Sequence, residues 1–235
     1  MRMRVAVLVA LAATALFGAK KDKTAQRLED AATVFSEVMG TPDKGIPQDL
    51  LEKAHCAVVV PGLKKGAFIV GGKYGKGFVT CRKAGGQGWS APAAIKIEGG
   101  SVGFQIGGAE TDVVMLVMNE RGAEKLMSSQ FTLGGEGEVA AGPVGRSATA
   151  QTDAKMHAEI LSWSRSRGAF AGISLQGATL RVDTEDNEEL YGKPLETKDV
   201  VNGSLAAPAS AARLISLLNK YSGTKVPEGQ RSRDK

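Results

Sequence analysis

The sequence predicts a single α+β domain in which a glycine-rich antiparallel β-sheet or barrel-like core is flanked by amphipathic N- and C-terminal helices. Apolar residues recur at helical spacing near both ends of the chain. Between them, twenty of the thirty glycines fall within residues 62–145, interleaved with short runs of Val, Ile and Phe that are typical of strands and turns. With 43% hydrophobic residues, the 235-residue chain can form one sizeable core, and no linker or internal repeat divides it.

Residues 1–19 have the three-part layout of a signal peptide. A basic MRMR start leads into an apolar run from Val5 to Phe17, after which the residues become small and then charged. The run is shorter than the roughly 18 residues of a membrane-spanning helix, so a retained anchor is the less favoured alternative. Cleavage after Ala15, Gly18 or Ala19 remains open. We therefore expect an exported domain at residues 20–235, with its core at about 25–222.

The N-terminal part of this domain predicts two helices followed by hairpins. Leu28, Phe35 and their apolar neighbours predict a helix from Thr24 to Met39, and a shorter helix is expected after Pro47. Three short antiparallel strands are then expected at Val58 to Val60, Phe68 to Val70 and Phe78 to Cys81.

The remainder of the chain predicts further strands and a last helix. SVGFQIGG alternates as a half-buried strand does, DVVMLVMN is apolar on both faces and should be central, and ERGAEKLMSS predicts helical turns. Three more strands are expected at about Ala158 to Ser164, Ala169 to Leu175 and Ala178 to Val182. The C-terminal helix is predicted by an apolar face comprising Leu214, Ile215, Leu217, Leu218 and Tyr221.

The two cysteines, Cys56 and Cys81, leave two states open. After export they could form a disulfide. However, the three strands expected above place them at opposite ends of strands that are not neighbours, too far apart for a bridge. Two buried thiols are therefore the favoured expectation.

No motif for catalysis, nucleotide binding or metal binding is found. GGKYGKG lacks both the first glycine and the hydroxyl residue of a phosphate-binding loop, and the following FVTCR is β-like rather than helical. Two histidines and two cysteines without ligand spacing give no metal site and no nucleophile with its base. DTEDNEEL is expected to be a solvated turn. The sequence thus predicts a protein that is not an enzyme and needs no cofactor.

The distribution of charge indicates a binding surface. Residues 53–97 contain eight basic residues and no acidic one, although the mature chain has 28 basic and 25 acidic residues. If the hairpins fold as expected, one end of the sheet carries a first cluster, and the other end carries a second. The first cluster is Lys64, Lys65, Arg82 and Lys83, and the second is Lys73 and Lys76.

Such clusters attract anionic membranes, and neighbouring aromatic rings can enter the interface. The candidate rings are Tyr74, Phe78 and Trp89. A solvated basic face with buried aromatic residues is the alternative. The amphipathic terminal helices could also lie in a membrane, but packing on the sheet is the more common role of such helices. Little aromatic interleaving and predicted export argue against nucleic acid.

The ordered motifs GGKYGKGFVTCR, GWSAP, GFQIGGAETDVVMLVMN, GPVGR and SWSRSRGAFAGISLQGATL resemble the SYLF domain, also called the Ysc84-like actin-binding domain. The resemblance extends from about Ala25 to Tyr221. It implies lipid binding, since eukaryotic members bind phosphoinositides where actin is organised and exported bacterial members are regarded as lipid-binding proteins. Export does not favour actin as the physiological partner.

The sequence therefore predicts non-enzymatic binding of anionic phospholipid or phosphoinositide headgroups by a periplasmic or extracellular protein that associates peripherally with a membrane. The alternative is a cell-envelope structural or scaffold protein that binds a protein partner. The resemblance fixes no binding residue, so the residues named above depend on the charge pattern alone.

Overall fold

A computed structural model describes residues 23–41, 45–67, 70–83, 85–102, 107–144, 158–166, 169–173 and 175–223. The predicted signal peptide and the middle of the predicted strand SVGFQIGG lie outside these residues. Within them, no helix is both long enough and apolar enough to cross a bilayer.

Among the described residues, six α-helices and nine strands form in the order α1 (23–39), α2 (Gln48–Lys53), β1 (Cys56–Ala67), β2 (Val70–Cys81), β3 (Ala93–Val102), β4 (Gly107–Val117), α3 (Glu120–Leu126), β5 (Gln130–Thr132), β6 (Val139–Ala141), β7 (Ile160–Ser166), β8 (Ala169–Gly172), β9 (Thr179–Val182), α4 (Thr184–Tyr191), α5 (Thr197–Val201) and α6 (Ala212–Tyr221). A short 3-10 helix, Ala209–Ala211, precedes α6.

The strands form one curled, mixed sheet in the order β5-β9-β3-β2-β1-β4-β7-β6, with β8 also pairing with β7. The pairings are antiparallel except that of β6 with β7. The central strands β2, β1 and β4 are long, and β4 lies between β1 and β7 as its apolar sequence predicts. The predicted α+β fold with terminal helices is confirmed.

The two faces of the sheet carry separate hydrophobic clusters, because side chains alternate between faces along each strand. On one face, α1, α2 and α6 cover residues such as Val59, Phe78 and Leu116. On the other face, α3, α5 and the β5 region cover residues such as Val58 and Val79. The apolar stripes of α1 and α6 are buried in the first cluster, so both helices pack on the sheet as expected.

The predicted three-strand arrangement of residues 58–81 is wrong. The described residues of this segment, 58–67 and 70–81, belong to two long strands, and the β1–β2 register places Cys56 directly opposite Cys81. The two cysteines form a disulfide, so the expectation of two buried thiols is also wrong.

Close packing explains why glycines occur within these strands. A β-carbon on Gly77 would lie 2.3 Å from the carbonyl oxygen of Val59, and one on Gly75 would lie 2.8 Å from Leu63 Cδ1. Glycine at these two positions of β2 therefore allows the bulged part of β1 to approach closely. The sequence pattern alone, in contrast, indicates turns.

The acidic segment DTEDNEEL is a helix, α4, and not the expected solvated turn. The Asp183 side chain caps its start by accepting a hydrogen bond from the Asp186 amide, at 3.2 Å. Gly192, with φ of 75°, ends it in the left-handed conformation that favours glycine. Asp183, Asp186 and Asn187 are buried, so part of this segment faces the protein interior.

Candidate functional site

The basic segment is divided between the two ends of the β1–β2 hairpin. The register places Lys64 opposite Tyr74 and Lys65 opposite Lys73, towards the end where β1 and β2 are connected. Arg82 follows β2 at the other end, about 25 Å away at the usual rise of a strand. The predicted grouping of Lys64 and Lys65 with Arg82 and Lys83 on one rim is therefore wrong, because Lys64 and Lys65 lie within β1, beside its connection to β2, and not in a turn at the opposite end.

We call Lys64, Lys65, Lys73 and Tyr74 the basic end. Alternation along the strands places Lys64 and Tyr74 on the face that carries α1, and Lys65 and Lys73 on the opposite face. Lys64 is exposed and the other two lysines are half-buried. Tyr74 is 48% exposed and is the only exposed large hydrophobic side chain in the part of the chain that the structure describes.

The three lysines of the basic end form no ion pair with any described residue. Lys65 and Lys73 also face each other across two strands, an arrangement of like charges that destabilises a sheet. Burial lowers the pKa of Lys65, and the charge of Lys73 lowers it further. An anion placed between these two ammonium groups would relieve this repulsion.

Lys76 is part of a buried ionic network. Its Nζ lies 2.7 Å from Asp183 Oδ2 and 2.9 Å from Asp186 Oδ1, and Arg27 of α1 also pairs with Asp186. Burial acts to lower the pKa of Lys76, but the hydrogen bonds and charges of the two aspartates outweigh it, so this pKa is raised. The network attaches α1 and α4 to the middle of β2, which is a structural role.

Arg82 also has internal partners. Its guanidinium donates to the carbonyl oxygens of Leu51 and Glu52 at the end of α2, at 3.2 and 3.3 Å, and lies 4.3 Å from the centre of the Trp89 ring. Burial lowers the pKa of Arg82, and the nearby Glu52 acts in the opposite direction. Lys83, beside it, is exposed.

Two of the three candidate interface aromatics are buried. Phe78 belongs to the core under α1, and Trp89 donates its indole N–H to Ser222 Oγ at 3.1 Å. These two positions cannot contact a membrane in this fold, so their assignment as interface residues is wrong. Tyr74 remains available.

The most distinctive motif, SWSRSRG, has a structural role where it is described. Arg165 donates from Nε and Nη2 to Asp112 Oδ2, at 3.0 and 2.8 Å. Trp163 donates its indole N–H to the carbonyl oxygen of Pro143 at 2.9 Å, and a β-carbon on Gly142 would overlap its ring. The described parts of GPVGR and SWSRSRG, residues 142–144 and 162–166, therefore pack together and join β7 to its neighbours.

A groove of about 790 Å³ lies between α1 and the sheet. Its floor contains the β1 bulge at Pro61 and Gly62, together with Glu110 and Asp112 of β4. No sequence pattern indicates this groove, because it depends on how α1 crosses the sheet. Lys64 pairs with Glu110 in the β1–β4 register, so the groove adjoins the basic end.

No group of metal-ligating side chains is found among the described residues. The site nominated here is instead the exposed, basic end of a curled sheet in a single-domain α+β protein. Comparison with known proteins identifies the family to which the chain belongs.

The chain belongs to the Ysc84 family, or SYLF domain family, because residues 98–221, just over half of its length, match the family model described as "Las17-binding protein actin regulator". It is 37% identical over 200 residues to SH3 domain-containing YSC84-like protein 1 of Rattus norvegicus and 35% identical over 200 residues to the Homo sapiens protein of that name. Both alignments cover 84% of this chain and 58% of the relative.

LAS seventeen-binding protein 3 of Saccharomyces cerevisiae is 35% identical over 187 residues, which cover 78% of this chain and 40% of that protein. The chain thus spans between two fifths and three fifths of the length of these relatives. The resemblance expected from the motifs is confirmed, and the family is one of binding and regulatory proteins.

Proposed function

We propose that this protein binds anionic phospholipid membranes through the basic end, without catalysing a reaction. The observation that carries the proposal is the presence of three lysines without ion-pair partners among the described residues, beside the exposed ring of Tyr74. Lysines near an anionic membrane contribute about 1 kcal/mol each, and tyrosine favours the headgroup region. This end of the sheet therefore combines the two attractions that a peripheral membrane protein needs.

The proposal includes export and a peripheral location at a membrane. The predicted signal peptide supports export, and so does the disulfide between Cys56 and Cys81, since disulfides persist in oxidising compartments. The ionic partners of Lys76 and the internal partners of Arg82 leave these two residues out of the lipid-binding set.

The test is co-sedimentation of residues 20–235 with vesicles of phosphatidylcholine alone and with added phosphatidylglycerol or cardiolipin. The chain without residues 1–19 is used because the apolar run would itself insert into lipid. We expect binding only to the anionic vesicles, and weaker binding as salt screens the charges.

A triple variant, Lys64→Gln, Lys65→Gln and Lys73→Gln, should bind anionic vesicles about a hundredfold more weakly, since about 3 kcal/mol of attraction is removed. The matched control changes three exposed lysines outside the basic end, Lys83, Lys193 and Lys198, to Gln. Equal losses in both variants would show that only net charge matters and would contradict the assignment of the site.

A protein partner is the second candidate, because the family description and the name of the yeast relative both refer to binding a protein. A photo-crosslinking residue at position 74 separates the two candidates in intact cells. Lipid adducts support the membrane proposal. Protein adducts, together with no binding to vesicles of any composition, would replace it with the scaffold function.

A further inference from the structure

The groove beside α1 presents charges of both signs that the fold itself does not pair. Lys23 lies on its helical wall and Glu110 on its floor, and neither forms an ion pair with another described residue. The other charged groups of the groove have partners within the fold: Arg165 pairs with Asp112, Arg27 pairs with Asp186, and Asp30 accepts a hydrogen bond from Gln26 Nε2 at 3.0 Å. Lys23 on the helical wall and Glu110 on the floor are therefore the two charged lining groups left without a described partner.

The floor of the groove is built around a single glycine. Gly62 has φ of 59°, and its amide donates to Asp112 Oδ1 at 3.0 Å. A β-carbon at this position would lie 2.5 Å from Glu110 Oε1, so a side chain here would displace the Glu110 carboxylate. The left-handed backbone and the missing side chain of Gly62 together leave room for that carboxylate on the floor of the groove.

The polar groups indicate the class of ligand. Lys23 and the remaining N–H donors of Arg27 suit a phosphate, and Glu110 suits an ammonium that carries hydrogen-bond donors. No aromatic side chain is among the described lining residues, and quaternary ammonium ligands are usually held by aromatic rings. A primary ammonium is thus favoured over a choline group.

We propose that this groove binds a phosphoethanolamine group, with the phosphate towards Lys23 and Arg27 and the ammonium on Glu110. The volume of about 790 Å³ is ample for this group. The same chemistry occurs in a phospholipid headgroup and in free glycerophosphoethanolamine. The lipid source rests on the proposed function, because the groove adjoins Lys64, and docking of the basic end would bring the groove to the level of the headgroups.

The first test is titration of residues 20–235 with sn-glycero-3-phosphoethanolamine, followed by NMR chemical shifts. Glycerophosphocholine has the same phosphodiester but no ammonium hydrogens, so we expect it to bind at least tenfold more weakly. Glu110→Gln should weaken glycerophosphoethanolamine binding at least tenfold, and Lys23→Gln should weaken it too. The matched control is Glu124→Gln, which changes an exposed glutamate on α3, away from the groove. Equal binding of the two diesters, or no effect of Glu110→Gln in a folded variant, would overturn the proposal.

A second test uses vesicles of constant anionic content in which phosphatidylethanolamine replaces phosphatidylcholine. We expect tighter binding to the phosphatidylethanolamine vesicles, and this increase should disappear in Glu110→Gln. Vesicle binding that depends on the three lysines but not on ethanolamine would leave the proposed function intact and overturn this inference. Binding of glycerophosphoethanolamine without any vesicle binding would support the groove site and contradict the membrane function.

Discussion

Replacing Lys76 by Met tests whether this lysine is structural. Its ammonium is paired with Asp183 and Asp186, whose side chains are only 5% and 6% exposed, whereas that of Lys76 is 22% exposed. Removing one partner of a buried ion pair costs about 3 to 5 kcal/mol. Because Lys76 is partly solvated and Arg27 still pairs with Asp186, we expect a loss of about 2 to 3 kcal/mol.

The assay is urea unfolding followed by circular dichroism, with the free energy of unfolding extrapolated to water. Lys83→Met, at an exposed lysine outside the network, is the control and should have little effect. Adding Asp183→Asn to Lys76→Met should recover at least about 1 kcal/mol, since Asn can still cap α4 and no carboxylate is left unpaired there. The pKa of Lys76 is raised in the folded state, so its contribution is complete at pH values below the ordinary lysine pKa and is lost as the pH rises through the raised value. A loss below about 0.5 kcal/mol, or lost vesicle binding at unchanged stability, would refute the structural role.

Three further predictions concern other residues of the same hairpin. Arg82→Gln should lower the free energy of unfolding by about 1 to 2 kcal/mol, because it loses hydrogen bonds and the contact with the Trp89 ring, and it should leave vesicle binding unchanged. Weaker vesicle binding at unchanged stability would show instead that Arg82 belongs to the lipid-binding site. Replacing Cys56 and Cys81 by Ala should cost about 3 kcal/mol in urea unfolding, since the bridge closes a 25-residue separation, and equal stability of the two proteins would contradict this. Because burial and Lys73 lower the pKa of Lys65, vesicle binding should weaken at a lower pH than for an ordinary lysine. The Lys65→Arg variant should still bind vesicles at that pH, because a guanidinium stays charged. Identical pH profiles of vesicle binding for the original protein and for Lys65→Arg would exclude a role of Lys65 in this pH dependence.

The helices could be predicted because their apolar positions repeat with the helical period and their ends carry recognisable signals. The stripe containing Leu28 and Phe35 is buried as expected, and Gly223 follows the predicted end of α6. β4 could also be predicted, since a run that is apolar on both faces needs cover on both faces. These features depend only on residues that are close in sequence.

The strands β1 and β2 could not be predicted because two different physical causes give the same glycine-rich pattern. Glycines occur in turns, but Gly75 and Gly77 are needed for the close approach of a bulged strand. Without that distinction, Cys56 and Cys81 could not be placed opposite each other.

The candidate site could be predicted only in part for a related reason. The basic run was visible in the sequence, but Lys76 finds its partner Asp186 across 110 positions, and the buried state of Trp89 depends on Ser222 at a separation of 133. Only the fold separates the lysines that have internal partners from those that do not.

The most direct test of the membrane proposal is the position of the basic end relative to the bilayer. The two native tryptophans, Trp89 and Trp163, are buried, so a tryptophan introduced by Tyr74→Trp would be the exposed one. Its fluorescence is measured on anionic vesicles that contain brominated lipids, beside Lys83→Trp at the opposite end of the hairpin. We predict strong quenching for Tyr74→Trp and little for Lys83→Trp. Quenching of Lys83→Trp alone, or of neither variant when the protein is bound, would contradict docking through the basic end.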